Sequence, residues 1–535
     1  MRDTKDLIGR FLRGTAVALA SVFALGAQAA APGITGPTFD LTAAPGYISQ
    51  PDGTSVYTWG YGCFTAPAAS RFVPSTIAGG KCPAGVMQLP GPTLIVTQNQ
   101  TVTVTLHNNL PPAAGNTSIL FPGFAVSTTA GDPGVAGVLT QEAAIGGTVT
   151  YTFVATTPGT HSYYSGTQGD LQVEMGLYGA LIVLPALPAS GIPTGYATPP
   201  GYPTTCYAVG AALALPNGHP DFRLAAAAFD HPSACYDREY LFQFSEMDPA
   251  IHQQAEAQKA IACTRPAGCM TVATEPYVPA YFMINGRSMP DLMEPNYALH
   301  FAHQPYNGNP HMHPGELVLL RIIGTGRWQH PFHEHGNHVR VLARDGNMLL
   351  TPTNRLAGPL LFTTTTTPGQ TIDGIFQWTG KGLNWDVYAH TTGATAPCRA
   401  DANGYFTSGS TPPAPFTAPN YYEWCADHEK PLESKPFGQV GTGGPITLPD
   451  ANILANGPWY GGSPYLGPEA TMRAVGSTPI PPSGTVANSP TDEAGYAFMW
   501  HSHNEREITT NNAFPGGMLM MMLVDPWVFV IDETN

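Results

Sequence analysis

The sequence predicts an all-β protein made of β-sandwiches with long loop insertions, and three observations carry that prediction. Gly and Pro punctuate the chain, 59 and 54 of its 535 residues, as turn-rich sandwiches require. Residues 101–106 and 148–153 alternate apolar and polar side chains with period two, the signature of half-buried strands. Only 11% of residues are charged, against roughly 25% in an ordinary soluble domain. That composition excludes helix bundles and coiled coils, which need Glu, Lys, Arg and Leu at helical spacing. A hydrophobic content of 43% excludes a disordered chain. With 22 Lys and Arg against 37 Asp and Glu, the net charge is −15. So acidic a chain excludes nucleic acid as a partner, because phosphate contacts need Lys and Arg.

The elements fall into two blocks. Residues 30–187 hold the alternating stretches and a more fully buried strand at 176–183. Short strands separated by Gly/Pro turns imply an antiparallel sandwich. Residues 188–235 are a Pro/Gly/Ala-rich connector. The second block, 236–390, opens on a strand at 239–244, continues with a helix at 251–261, and resumes strands at 281–284 and 317–323. Residues 391–494 are Pro-, Gly- and Ser-rich with little periodicity, the mark of an inserted region. Residues 495–535 return to strand, ending at 518–524.

The N-terminus reads as an export signal. Arg2, Lys5, Arg10 and Arg13 precede an apolar run at 15–25, and Ala27-Gln28-Ala29 fits a small-x-small cleavage site. Removing residues 1–29 takes away four positive and two negative charges and leaves −17. No later stretch is long enough to span a membrane, so the expectation is a periplasmic or secreted protein. All eight cysteines follow the leader, which suits disulfides in an oxidising compartment. Sequence neighbours suggest Cys63–Cys82, Cys206–Cys235, Cys263–Cys269 and Cys398–Cys425, although eight cysteines allow 105 connectivities. No cysteine lies beside a histidine cluster.

The histidines carry the chemistry. The segment from His330 through His333 and His335 to His338 holds four imidazoles in nine residues, and His501 and His503 flank Ser502. On a strand, residues i and i+2 share a face, so His333 and His335 point one way, as do His501 and His503. If the two strands pair, four imidazoles converge. Imidazole is a borderline ligand suited to Cu, Zn, Fe or Ni, and without thiolate or a carboxylate triad copper or zinc leads.

Gly91-Pro92-Thr93-Leu94, His330-Pro331-Phe332-His333-Glu334-His335-Gly336, and Trp500-His501-Ser502-His503 through Gly516-Gly517-Met518 resemble the signatures of the multicopper oxidases. Gly176-Leu177-Tyr178-Gly179-Ala180 resembles the strand after that family's second histidine motif. The resemblance covers most of the mature chain except 391–494, and is closest to long bacterial members with a two-cupredoxin core. It implies two cupredoxin-like Greek-key sandwiches and a copper cofactor. Active members oxidise a small-molecule or metal-ion substrate at a type 1 copper. They reduce dioxygen to water at a trinuclear cluster of eight histidines from four motifs.

The departures are informative. Where the first motif has H-W-H-G, this chain has Leu120-Phe121-Pro122-Gly123. The second motif becomes Tyr164-Ser165-Gly166, with His161 nearby. The middle residue of the fourth motif, a cysteine in the family, is Ser502, and the type 1 histidine five residues on is Glu507. A blue-copper site needs a thiolate with two histidines, so only His330 survives of that ligand set. His333, His335, His501 and His503 remain for one metal, or for a dinuclear site with help from another subunit, His161, Tyr163 or Tyr164.

Other residues read more plainly. His311-Met312-His313, bracketed by Pro310 and Pro314, reads as a loop, with His300 and His303 beside it. Met518, Met520 and Met522 share a strand face, as core packing or a Cu(I) site. Glu334 sits between two ligands on the opposite face, a candidate to orient an imidazole or accept a proton. Glu505 and Glu507, which follow His503, are candidates for the same roles or else solvated-loop carboxylates. Two function classes follow: a copper oxidoreductase fed with electrons by its substrate or by an external donor protein, and a non-catalytic copper-binding, storage or structural protein. The resemblance to copper nitrite reductases, whose two-cupredoxin core trimerises, leaves a homo-oligomer open.

Overall fold

The alternating stretches pair with each other. Thr101–Asn108 buries Val102, Val104 and Leu106 and runs antiparallel to Thr148–Val154, with Thr105 opposite Thr150. The computed structural model describes residues 31–74, 80–128, 134–187, 221–313, 316–378, 462–466, 495–524 and 531. The leader, Cys206, Cys398, Cys425, most of the connector and nearly all of 391–494 lie outside the described residues.

A five-stranded and a six-stranded sheet, drawn from residues 33–184, enclose one core around Trp59, Tyr61, Tyr151 and Tyr163. A seven-stranded and a six-stranded sheet from the later segments enclose another around Phe332, Phe376, Phe498 and Trp500. The sheets are mixed, which corrects the purely antiparallel expectation: Arg238–Met247 runs parallel to Leu317–Gly324, and Thr38–Ser49 runs parallel to Thr101–Asn108. Parallel neighbours need crossovers of a dozen residues or more, and the long loops supply them.

The helix forms at Pro249–Gln258, two residues earlier than the periodicity suggests. Asp248 caps it by accepting from the Ala250 N–H at 2.9 Å, and Pro249 fits the first helical position. Its Ile251 and Ala255 join the core of the first sandwich, so this piece of the second block packs on the first. The sandwiches also meet through buried polar groups. Asp373 accepts from the Thr160 N–H at 3.0 Å and from its hydroxyl at 2.5 Å, and the Arg321 guanidinium donates to the same hydroxyl oxygen at 3.3 Å.

Cys63–Cys82 and Cys263–Cys269 are disulfide-bonded, as neighbour pairing suggests. Cys235 is disulfide-bonded too. Among the described residues no helix is long and apolar enough to cross a membrane.

His311–Met312 is a strand parallel to Leu523–Val524, not a loop. A Pro before an edge strand costs no ladder bond, and the Tyr240 hydroxyl ties down both the N–H and C=O of His311. His313 contacts Glu316 at 3.0 Å within an ion network that includes Arg238. Met518, Met520 and Met522 are buried in the second core and pack there.

Candidate metal centre

The strand His330–Glu334 lies antiparallel to Gly495–Ser502, with His333 directly opposite His501. The two histidine motifs therefore converge because their strands pair. Ring centroids are 4.5 Å apart for His333 and His335, 4.8 Å for His333 and His503, and 5.0 Å for both His335–His501 and His501–His503. The indole N–H of Trp500 donates to the His335 carbonyl at 2.9 Å and anchors the turn. His503 is exposed, whereas His333, His335 and His501 are buried, so the cluster opens outward on one side.

Tautomers follow from the outer contacts. The Nδ1 of His501 donates to the Ser502 carbonyl at 2.8 Å, which leaves Nε2 with its lone pair. That Nε2 faces Nε2 of His335 at 3.0 Å, so His335 donates a proton to His501. Nδ1 of His333 meets the Thr363 hydroxyl at 3.1 Å. Burial, then the neighbouring His503 imidazole, push His333 down to about 4, and burial lowers His501. Both rings are neutral near pH 7, the form that binds metal.

Copper fits this donor set in chemistry. The two Nε2 atoms 3.0 Å apart could both turn lone pairs to one ion once His335 takes its other neutral tautomer, with the proton on Nδ1. Among the described residues no three His, Cys, Asp or Glu donors already stand around one point. His333 and His503 would complete the set by turning their rings toward the His335–His501 pair. His338, the fourth histidine of its segment, is exposed, with its ring 5.5 Å from Phe362.

His330 stands apart from the other four. Its Nε2 donates to Glu246 Oε2 at 2.9 Å, and its Nδ1 lies 2.9 Å from Glu507 Oε2, off line for a hydrogen bond but in ion-pair contact. Burial alone would lower its pKa, but the two carboxylates outweigh it and raise it to about 9. Glu507 is buried, which corrects its reading as a solvated-loop carboxylate; Glu505 is exposed as expected. The reason is local: Glu507 accepts from the Ser502 hydroxyl at 2.5 Å and from the Asn504 amide at 2.9 Å. Glu246, absent from the sequence reading because it lies 84 residues from His330, also accepts the N–H groups of Arg327 and Trp328. A Cβ at Gly326 would sit 2.0 Å from its Oε2, so only glycine allows the loop to wrap it.

Glu334 is buried behind the cluster, bonded to the Thr364 hydroxyl, and burial raises it to about 8. Its Oε2 has no hydrogen-bond partner among the described residues. Tyr163 is committed to the first core, donating to the Pro92 carbonyl at 2.7 Å. His161 packs on Phe124 and bonds the Thr157 carbonyl through Nε2 at 2.9 Å. Tyr164 lines a separate cleft of about 380 Å³ with His161, Asp345 and Gln370.

The chain is all-β, two sandwiches with a histidine cluster set by paired strands. A sequence model of the multicopper oxidases, a family of copper proteins, matches residues 84–187, and over that segment the chain is similar to the family. A laccase, ustL, of Ustilaginoidea virens is 34% identical over 96 residues, 18% of this chain and 14% of that protein. The chain thus spans about a seventh of the curated relative it matches. Among solved structures, a blue copper oxidase from Nitrosomonas europaea is 15% identical with a TM-score of 0.42, covering 91% of this chain and 85% of its own. A copper nitrite reductase from Nitrosomonas europaea is 17% identical with a TM-score of 0.37, covering 65% and 86%.

Proposed function

We propose that this is an exported, multicopper-oxidase-like copper protein whose metal is held by histidines alone, His333, His335, His501 and His503, and that it acts as an oxidoreductase without a type 1 copper. The observation that carries this reading is the 3.0 Å approach of the His335 and His501 Nε2 atoms across paired strands. Bound copper supplies one-electron redox chemistry. The chain's part is to present neutral imidazoles. The Ser502 carbonyl fixes His501 with its Nε2 lone pair inward, and His335 would offer its own Nε2 as the other neutral tautomer, with the proton on Nδ1. Exposed His503 leaves a solvent-side approach for a small-molecule or metal-ion substrate. Electrons come from that substrate or from an external donor protein. Two disulfides, Cys63–Cys82 and Cys263–Cys269, favour an oxidising compartment.

Loss of the histidines at Leu120, Pro122, Tyr164 and Gly166 favours the second reading, a non-catalytic copper binder on the same scaffold. Elemental analysis with electron paramagnetic resonance tests the site, and replacing His501 and His503 together by Ala removes most bound copper. Undiminished copper stoichiometry in that variant refutes the assignment. Oxygen consumption with phenols, Fe(II), Mn(II) and Cu(I) separates catalyst from binder.

A further inference from the structure

We propose that Glu246, His330 and Glu507 form a buried ion-pair clamp, closed to metal, that positions the His501–Ser502–His503 turn. Each side chain of the triad is fully buried. A metal ligand must present a nitrogen lone pair, yet both His330 nitrogens face carboxylate oxygens at 2.9 Å. Nε2 is committed to Glu246 and a second carboxylate lies in ion-pair contact with Nδ1, so the ring sits as a cation between two anions. This is the place where the resemblance puts a blue copper. Here Ser502 and Glu507 replace the thiolate and one imidazole, and Glu507 Oε2 stands between the Ser502 hydroxyl and the His330 ring.

The clamp reaches the metal cluster through Ser502. Glu507 is pulled toward His330 on one side and takes the Ser502 hydroxyl at 2.5 Å on the other. The Asn504 N–H donates to the same hydroxyl at 3.1 Å, and the Asn504 side chain donates to Glu507 at 2.9 Å. The Ser502 carbonyl in turn holds Nδ1 of His501. Glu507 also packs against Gly517, where φ is +59 and a Cβ would lie 2.1 Å from the Glu507 carbonyl. On the far side Glu246 takes the Tyr277 hydroxyl at 3.3 Å, and Tyr277 also bonds Glu174 at 2.7 Å beneath the Arg327 guanidinium. His330 thus faces Glu246 and Glu507 directly, with Glu174, Tyr277 and Arg327 one contact beyond. Glu507 and His330 are positioning residues.

Only the final step, from a held turn to tighter copper binding, rests on the copper reading. The test is therefore made first on metal-free protein, comparing Glu507→Gln with Glu505→Gln, an exposed carboxylate of the same turn. Amide hydrogen exchange across residues 502–504 should rise about tenfold or more in Glu507→Gln and stay at the wild-type rate in Glu505→Gln. Copper(II) affinity, measured by competition with a chelator, should fall about 10–100-fold in Glu507→Gln alone, as for other outer-shell partners. Nitrogen NMR of wild-type His330 at pH 7.5 should show both nitrogens protonated, with and without copper. Unchanged exchange in a folded Glu507→Gln, or a neutral or copper-bound His330, overturns the clamp. If Glu507→Gln does not fold, the wild-type His330 spectrum decides alone. If exchange responds but the wild type takes up no copper, the clamp stands and the copper reading falls.

Discussion

Replacing His330 by Gln should destabilise the metal-free protein by an amount that depends on pH. His330 is held at about 9 in the fold, against its ordinary 6.5. A value raised on folding gives stability that is complete below 6.5 and is lost as pH rises through about 9. At about 1.4 kcal/mol for each pH unit between the two values, the interaction contributes about 3 kcal/mol at most. Removing one partner from a buried ion pair costs about 3–5 kcal/mol, and the whole of that cost should appear at pH 6.5. At pH 9.5 the wild type has shed about 3 kcal/mol of its own, so the difference should shrink to about 0–2 kcal/mol. Glu334 and Asp237, raised by burial to about 8 and about 7, also lose stability as pH rises through those values, but they do so in both proteins. The assay is urea unfolding followed by tryptophan fluorescence at pH 6.5, 8 and 9.5. A difference in unfolding free energy that stays the same from pH 6.5 to 9.5 would refute the reasoning.

Two further outcomes are expected. The copper-loaded protein should lack the intense thiolate-to-copper band, since Ser502 offers a hydroxyl where a blue site needs sulfur; absorption spectroscopy checks this. Asp373→Asn should lower stability by about 2 kcal/mol, because Asp373 accepts two charge-assisted bonds from Thr160 across the junction of the sandwiches; chemical denaturation reads it.

Much of the fold was legible because strand alternation is a local property. The period-two stretches became paired strands, and the strand at Tyr281–Ile284 falls where its apolar run begins and ends. The His311–Met312 strand was not legible, since its partner Leu523–Val524 lies far along the chain and its flanking prolines point the other way. The burial of Glu507 was equally hidden. Its turn reads as polar, and only the return of the chain to Ser502 and His330 encloses it.

By itself the sequence determined which residues can bind metal and which of them share a strand face, because ligand chemistry and the two-residue repeat are properties of short segments. It also determined the loss of the thiolate, by placing Ser502 between His501 and His503. The tertiary structure decided the rest. It set His333 opposite His501, brought Nε2 of His335 to Nε2 of His501, and drew Glu246 from another strand onto His330. Those choices depend on strand register and on burial of charge between distant segments, and neither has a signature in a local stretch of chain.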